Sequence, residues 1–149
     1  MVAITNYISP NLVIFFDVTT RDEAIKELID LLDSNKKLVD KEAFYHAILA
    51  REKIVSTGIG MGVAIPHAKL PDFDDFFIAV GIQKEGINWD ALDGAPVQIV
   101  FMIGGPDDKQ TEYLQILSRL TTAIKDNERR KKLLELSSKE EITQHFEGF

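Results

Sequence analysis

Apolar positions along this chain fall into two patterns, short continuous runs and stripes at helical spacing, and the two alternate. Leu12-Val13-Ile14-Phe15-Phe16-Asp17-Val18 reads as a short apolar strand after a turn at Ile8-Ser9-Pro10-Asn11. Thr20-Arg21-Asp22-Glu23 has the form of a capping box, and Ala24, Ile25, Leu28, Ile29, Leu31 and Leu32 continue it as a helix to about Leu32. Asp40 is placed to cap a second helix through about Arg51, with Phe44, Ala47 and Ile48 inward and Glu42, Tyr45 and Glu52 outward. Phe76–Ile82 and Gln98–Ile103 are apolar throughout, as strands covered on both faces are. Lys109 to Lys125 predicts an amphipathic helix facing the core through Leu114, Leu117, Leu120 and Ile124. Two more helices, near Asn127–Leu136 and from Ser137 or Ser138 past Ile142, close the core, and His145 lies near an end expected to fray. Strands alternating with helices predict an α/β fold.

Composition narrows the function classes. The 149 residues make one domain the economical reading, and 45% hydrophobic with 28% charged content is ordinary for a globular protein. No apolar run approaches the roughly 18 residues of a membrane span, and the N-terminus lacks the features of a signal peptide, so a cytoplasmic location without membrane insertion is expected. Having no cysteine excludes a thiol nucleophile and a thiolate metal site. The three histidines, His46, His67 and His145, have no metal-ligand spacing, so neither metal nor cofactor is expected. A net charge of −7 argues against nucleic acid as a partner. The run Arg129-Arg130-Lys131-Lys132 is either a solvated helix face or a docking patch for an acidic partner.

Chemistry concentrates in Ser56-Thr57-Gly58-Ile59-Gly60-Met61-Gly62-Val63-Ala64-Ile65-Pro66-His67. The glycines have neither the spacing of a dinucleotide fingerprint nor the Gly-Lys-Ser/Thr ending of a P-loop. Two readings remain: an anion-binding concavity of backbone N–H groups assisted by the Ser56 and Thr57 hydroxyls, or a flexible turn between helix and strand. Arg51, in the last turn of the preceding helix, either complements the helix dipole or turns its guanidinium toward an anion held by this stretch.

The run from Arg51 to His67, with its arginine, Ser-Thr-Gly turn and Ala-Ile-Pro-His ending, resembles the signature of enzyme IIA domains of the fructose/mannitol type from the phosphoenolpyruvate-dependent phosphotransferase system. Ile8-Ser9-Pro10-Asn11-Leu12-Val13 is similar to the opening of the free-standing nitrogen-regulatory members, and Gly86–Val97 with the strand after it matches the same family. The resemblance implies a single three-layer domain over residues 1–149, with a mixed central sheet and helices on both faces. It implies that His67 accepts a phosphoryl group from a phosphohistidine carrier protein of the HPr type and relays it or signals through it. Arg51 would clamp the phosphate, and Ser56, Thr57, Gly58, Gly60 and Gly62 would cradle it. The partners implied downstream are a sugar-specific IIB protein or regulatory targets such as kinases and ion transporters. One departure stands out: many relatives carry a second active-site histidine where this chain has Tyr113. A phenol can donate a hydrogen bond but cannot become cationic.

Overall fold

In the computed structural model, which describes residues 2–149, Thr20 and Asp40 begin the first two helices as their positions predict. Helix α1 (Arg21–Ser34) starts where Thr20 Oγ1 accepts from the Glu23 amide and donates to Glu23 Oε1 at 2.6 Å. Helix α2 (Lys41–Ile54) starts where Asp40 accepts from the Ala43 amide at 3.1 Å, and it runs a turn beyond the predicted end. The first strand, β1 (Val13–Phe15), is shorter than the apolar run around it: Leu12 belongs to the 3₁₀ turn Pro10–Leu12, and the strand ends at Phe15.

Strands β2 (Gly58–Gly60), β3 (Val63–Ala64), β4 (His67–Lys69), β5 (Phe77–Ile87) and β6 (Val97–Gly105) complete a six-stranded mixed sheet. Its order is β1-β5-β6-β3-β2, with β4 also on β6. Both β3 and β4 run parallel to β6, Ala64 opposite Val100 and His67 opposite Ile103, so Val63–Lys69 is one course of chain broken at Ile65-Pro66. Proline lacks the N–H that would continue the ladder, yet its carbonyl still accepts from Ile103 at 3.0 Å. The turn from β2 to β3 holds Gly60, Met61 and Gly62 at φ of 99°, 61° and 74°, which accounts for the glycines there.

Alternate residues of the two apolar strands face opposite layers. Ile78, Val80 and Ile82 of β5 with Ile99, Phe101 and Ile103 of β6 pack against α3 (Gln110–Ile124), α4 (Asn127–Glu135) and α5 (Lys139–Gln144). Phe77 and Ala79 with Val100 and Met102 pack against α1 and α2. The result is the expected three-layer α/β domain with a mixed central sheet.

Three sequence expectations are corrected. Glu52 is buried, not outward, because it continues the inward stripe of Phe44 and Ile48 at four-residue intervals. Leu114 is 54% exposed, since α3 turns Tyr113, Ile116, Leu120 and Ile124 inward instead. The C-terminus does not fray open: Phe146 is buried and the Ile4 amide donates to the Phe149 carbonyl at 2.7 Å. The basic run divides, with Arg129 over the Phe149 ring and Arg130 donating to the Ile124 carbonyl at 2.6 Å, while Lys131 and Lys132 face solvent. No helix among the described residues is long and apolar enough to cross a membrane.

Candidate functional site

His67 opens β4 at the sheet margin, directly after the Pro66 break. Its Nδ1 lies 2.9 Å from the Ile65 carbonyl oxygen. A carbonyl only accepts, so Nδ1 carries the proton and Nε2 is left with its electron pair. The ring is half-buried, and burial pushes its pKa below the ordinary value, with Arg51 and Lys69 acting in the same direction; the Ile65 hydrogen bond and Glu52 oppose them. Neutral, tautomer-fixed imidazole is the form a nucleophile requires.

Arg51 arrives from the opposite layer, on the last turn of α2, and Nη1 donates to the Val55 carbonyl at 2.8 Å. It therefore serves its own helix end while remaining close enough to act on the charge of both His67 and Tyr113. Lys69 was not singled out by the sequence reading, although the period of two along a strand puts it on the face of His67. Its Nζ donates to Gln110 Oε1 at 2.6 Å and stands 4.1 Å from the centroid of the Tyr113 ring, a cation–π arrangement.

Tyr113 is brought to the site: its ring centroid is 5.8 Å from that of His67, and Phe76 stacks on it at 6.0 Å. Phe76 in turn lies flat on Gly105, where an added Cβ would come within 2.1 Å of the ring. Burial raises the Tyr113 pKa, with Arg51 opposing, so the phenol stays protonated at neutral pH.

The predicted cradle is only partly assembled. The Ile65 amide donates to the Thr57 carbonyl at 3.0 Å, extending the β2–β3 hairpin toward the residues just before His67. The Thr57 hydroxyl, however, is spent on Glu52 Oε2 at 2.6 Å, and Ser56 Oγ donates to the Trp89 carbonyl and accepts from the Gly58 amide, both at 3.1 Å. Gly60 and Gly62 lie elsewhere. The Gly62 carbonyl accepts from Gln98 and Ile99, whereas His67 pairs with Ile103, and four residues of strand at about 3.3 Å each separate them by roughly 13 Å. Those two glycines form the β2–β3 hairpin turn. Cations from two elements, Arg51 and Lys69, are close enough to act on the charge of the histidine.

The depressed His67 pKa links the site to stability. Below pH 6.5 the unfolded chain binds more protons at this residue than the folded chain, so stability falls as pH drops through that window. His145, also pushed down by burial, has the same sign. Urea unfolding of His67→Gln between about pH 5 and pH 7 should give a shallower pH slope than wild type, with the His145 share remaining. An unchanged slope would mean that the fold does not hold His67 neutral.

Against known proteins, residues 6–148 match the family model described as Phosphoenolpyruvate-dependent sugar phosphotransferase system, EIIA 2. The fructose-specific EIIABC component of Bacillus subtilis is 43% identical over 122 residues, which cover 82% of this chain but 19% of that protein. The fructose-specific EIIA component of Haloferax volcanii is 37% identical over 123 residues, 83% of this chain and 80% of that one. Among solved structures, the nitrogen regulatory protein IIA-Ntr of Neisseria meningitidis superposes with a TM-score of 0.89 at 28% identity, covering 96% of this chain and 98% of its own. The chain spans about a fifth of the first relative and most of the other two. With the fold and nearly the whole length in agreement, the chain belongs to the EIIA 2 family of the phosphoenolpyruvate-dependent sugar phosphotransferase system.

Proposed function

We propose that this protein is a phosphoryl carrier of the nitrogen-regulatory kind, which takes a phosphoryl group onto His67 Nε2 from a phosphohistidine of an HPr-type carrier and signals through its phosphorylation state. One observation carries the reading: the Ile65 carbonyl fixes the proton on Nδ1, leaving the Nε2 electron pair free on a ring that feels the charge of Arg51 and Lys69. In the transfer, Nε2 forms a bond to phosphorus as the donor's P–N bond breaks, and the donor imidazole departs with that electron pair. The His67 ring keeps its Nδ1 proton and becomes cationic, a charge that the Ile65 carbonyl stabilises. Arg51 and Lys69 face the charge spread over the transferring oxygens, which is where such a reaction needs help. No proton has to leave the site.

Exposed apolar side chains flank these residues in sequence: Ile54 and Val55 just after Arg51, at 79% and 47% exposure, and Leu114 just after Tyr113. They provide a collar on which the carrier docks. A second output has its own support, since the fructose-specific names of two relatives favour onward transfer to a sugar-specific IIB protein. Mixing the phosphorylated protein with such a IIB component separates the two: discharge of the label supports transport, and retention supports signalling through kinases or ion-transport regulators.

The site assignment is tested on the wild-type protein. After incubation with phosphoenolpyruvate and the upstream carrier enzymes, the label should be acid-labile, and phosphorus–proton correlation spectra should place it on Nε2 of His67. A phosphoryl group on Nδ1, or on another residue, would overturn the assignment.

A further inference from the structure

Glu52 takes no direct part in the chemistry described so far, yet its carboxylate is buried at the site and collects three hydrogen bonds. Oε1 accepts from the Thr57 amide and from Trp89 Nε1, both at 2.9 Å, and Oε2 accepts from the Thr57 hydroxyl at 2.6 Å. All three donors are neutral, and Trp89, itself fully buried, also donates to Thr57 Oγ1 at 3.1 Å. Placing a carboxylate in the interior carries a desolvation penalty that its hydrogen bonds must offset, and an apolar residue would continue the Phe44–Ile48 stripe without that penalty. Packing alone therefore does not account for an acid here.

Its connections run to the site from both sides. Glu52 follows Arg51 on the last turn of α2, and Thr57 is bonded across the hairpin to Ile65, whose carbonyl holds Nδ1 of His67. The chain from carboxylate to imidazole is thus Glu52, Thr57, Ile65, His67, with every link a hydrogen bond or an adjoining residue. The charged and titratable groups facing His67 are Arg51 and Glu52 from α2, Lys69 from β4 and Tyr113 from α3. Glu52 is the anion among them.

We propose that Glu52 is a positioning residue for phosphoryl acceptance: it clamps the Ser56–Thr57 turn to the end of α2 and to Trp89, holding Arg51 and His67 in one geometry, and it balances the two cations while the site is empty of phosphate. The inference rests on His67 as the acceptor, but its first readout does not require phosphate. Glu52→Gln can keep the Oε1 contacts and turn its amide toward the Thr57 oxygen, so it removes charge with little change of shape. Glu52→Ala removes both charge and clamp.

The experiment follows the His67 ring by proton NMR against pH, and separately the initial rate of labelling from the phosphorylated carrier. Glu52→Gln should lower the His67 titration midpoint relative to wild type, because the one neighbouring charge that favours the imidazolium is gone. Glu52→Ala should lower the midpoint and slow labelling about tenfold. Thr57→Val keeps the charge and deletes the 2.6 Å bond; it should slow labelling with the midpoint where wild type has it. If Glu52→Gln, folded by circular dichroism, titrates at the wild-type midpoint and Thr57→Val labels at the wild-type rate, the proposal is overturned. Should Glu52→Ala fail to fold, those two variants decide. Failure of wild type to label at all strikes the proposed function instead, and leaves the titration to judge Glu52.

Discussion

His67→Ala is expected to take up no phosphoryl label under conditions that label the wild-type protein to completion. The substitution removes the only imidazole in the group of Arg51, Lys69 and Tyr113 while leaving the β4 backbone paired with β6, since those bonds do not involve the side chain. Tyr113 is the one hydroxyl with its ring beside the vacated position, and it cannot take over: burial raises its pKa, so the phenol is a poor nucleophile at neutral pH. Ser56 is turned away, its hydroxyl donating to the Trp89 carbonyl. The measurement is a phosphate-affinity gel run after incubation with phosphoenolpyruvate and the carrier enzymes, with an acid wash of a duplicate. Labelling of His67→Ala equal to wild type sinks the assignment. A weak residue of label that survives acid would identify an oxygen ester and a different acceptor.

What the sequence discloses about this site follows from which physical signals are local. The Ala-Ile-Pro-His ending places the proposed nucleophile, and the break in the ladder before it falls at Pro66, where the missing N–H acts on its own peptide unit. The continuous apolar runs at Phe76–Ile82 and Gln98–Ile103 foretell central strands, and in the folded chain their alternate residues do fill two separate cores. Hidden from such reading are the residues whose type contradicts their position. Glu52 repeats the spacing of Phe44 and Ile48, but its charge argues for solvent, and the convergence of Thr57 and Trp89, distant in sequence from one another, is what lets a carboxylate occupy that inward position. Lys69 shares the strand face of His67, a regularity visible in the sequence and outweighed by the glycines nearby. Those glycines are ambiguous in the sequence because positive φ serves hairpins as well as anion loops, and it is strand register that places Gly60 and Gly62 at the other end of β6 from His67. In α3, leucine at 114 and tyrosine at 113 compete for the inward face. The tyrosine wins because Phe76, seated on Gly105, offers it a ring to stack on.

Arg51→Ala should slow phosphoryl acceptance about 100-fold, the loss that removing one preorganised charged donor from a transferring oxyanion produces. A guanidinium can meet two phosphoryl oxygens at once, and at rest this one is held by the Val55 carbonyl only through Nη1. The same change removes a cation that opposes protonation of His67, so the titration midpoint of the imidazole moves up. Near neutral pH the two effects combine, because a larger fraction of the ring is then protonated and unable to attack. Labelling rates measured from pH 6 to pH 8.5 separate them. At the alkaline end the ring is neutral in both proteins, and a defect that persists there belongs to the lost phosphate contact. Recovery to the wild-type rate at high pH would reduce Arg51 to an electrostatic neighbour of His67 and remove it from the clamp. Arg51→Lys gives the complementary measurement: a point charge should return the midpoint toward wild type while recovering only part of the rate, since an ammonium cannot make the paired contact. Loss of the Val55 bond costs the end of α2 about 1 kcal/mol, and urea unfolding of each variant keeps that separate from the chemistry.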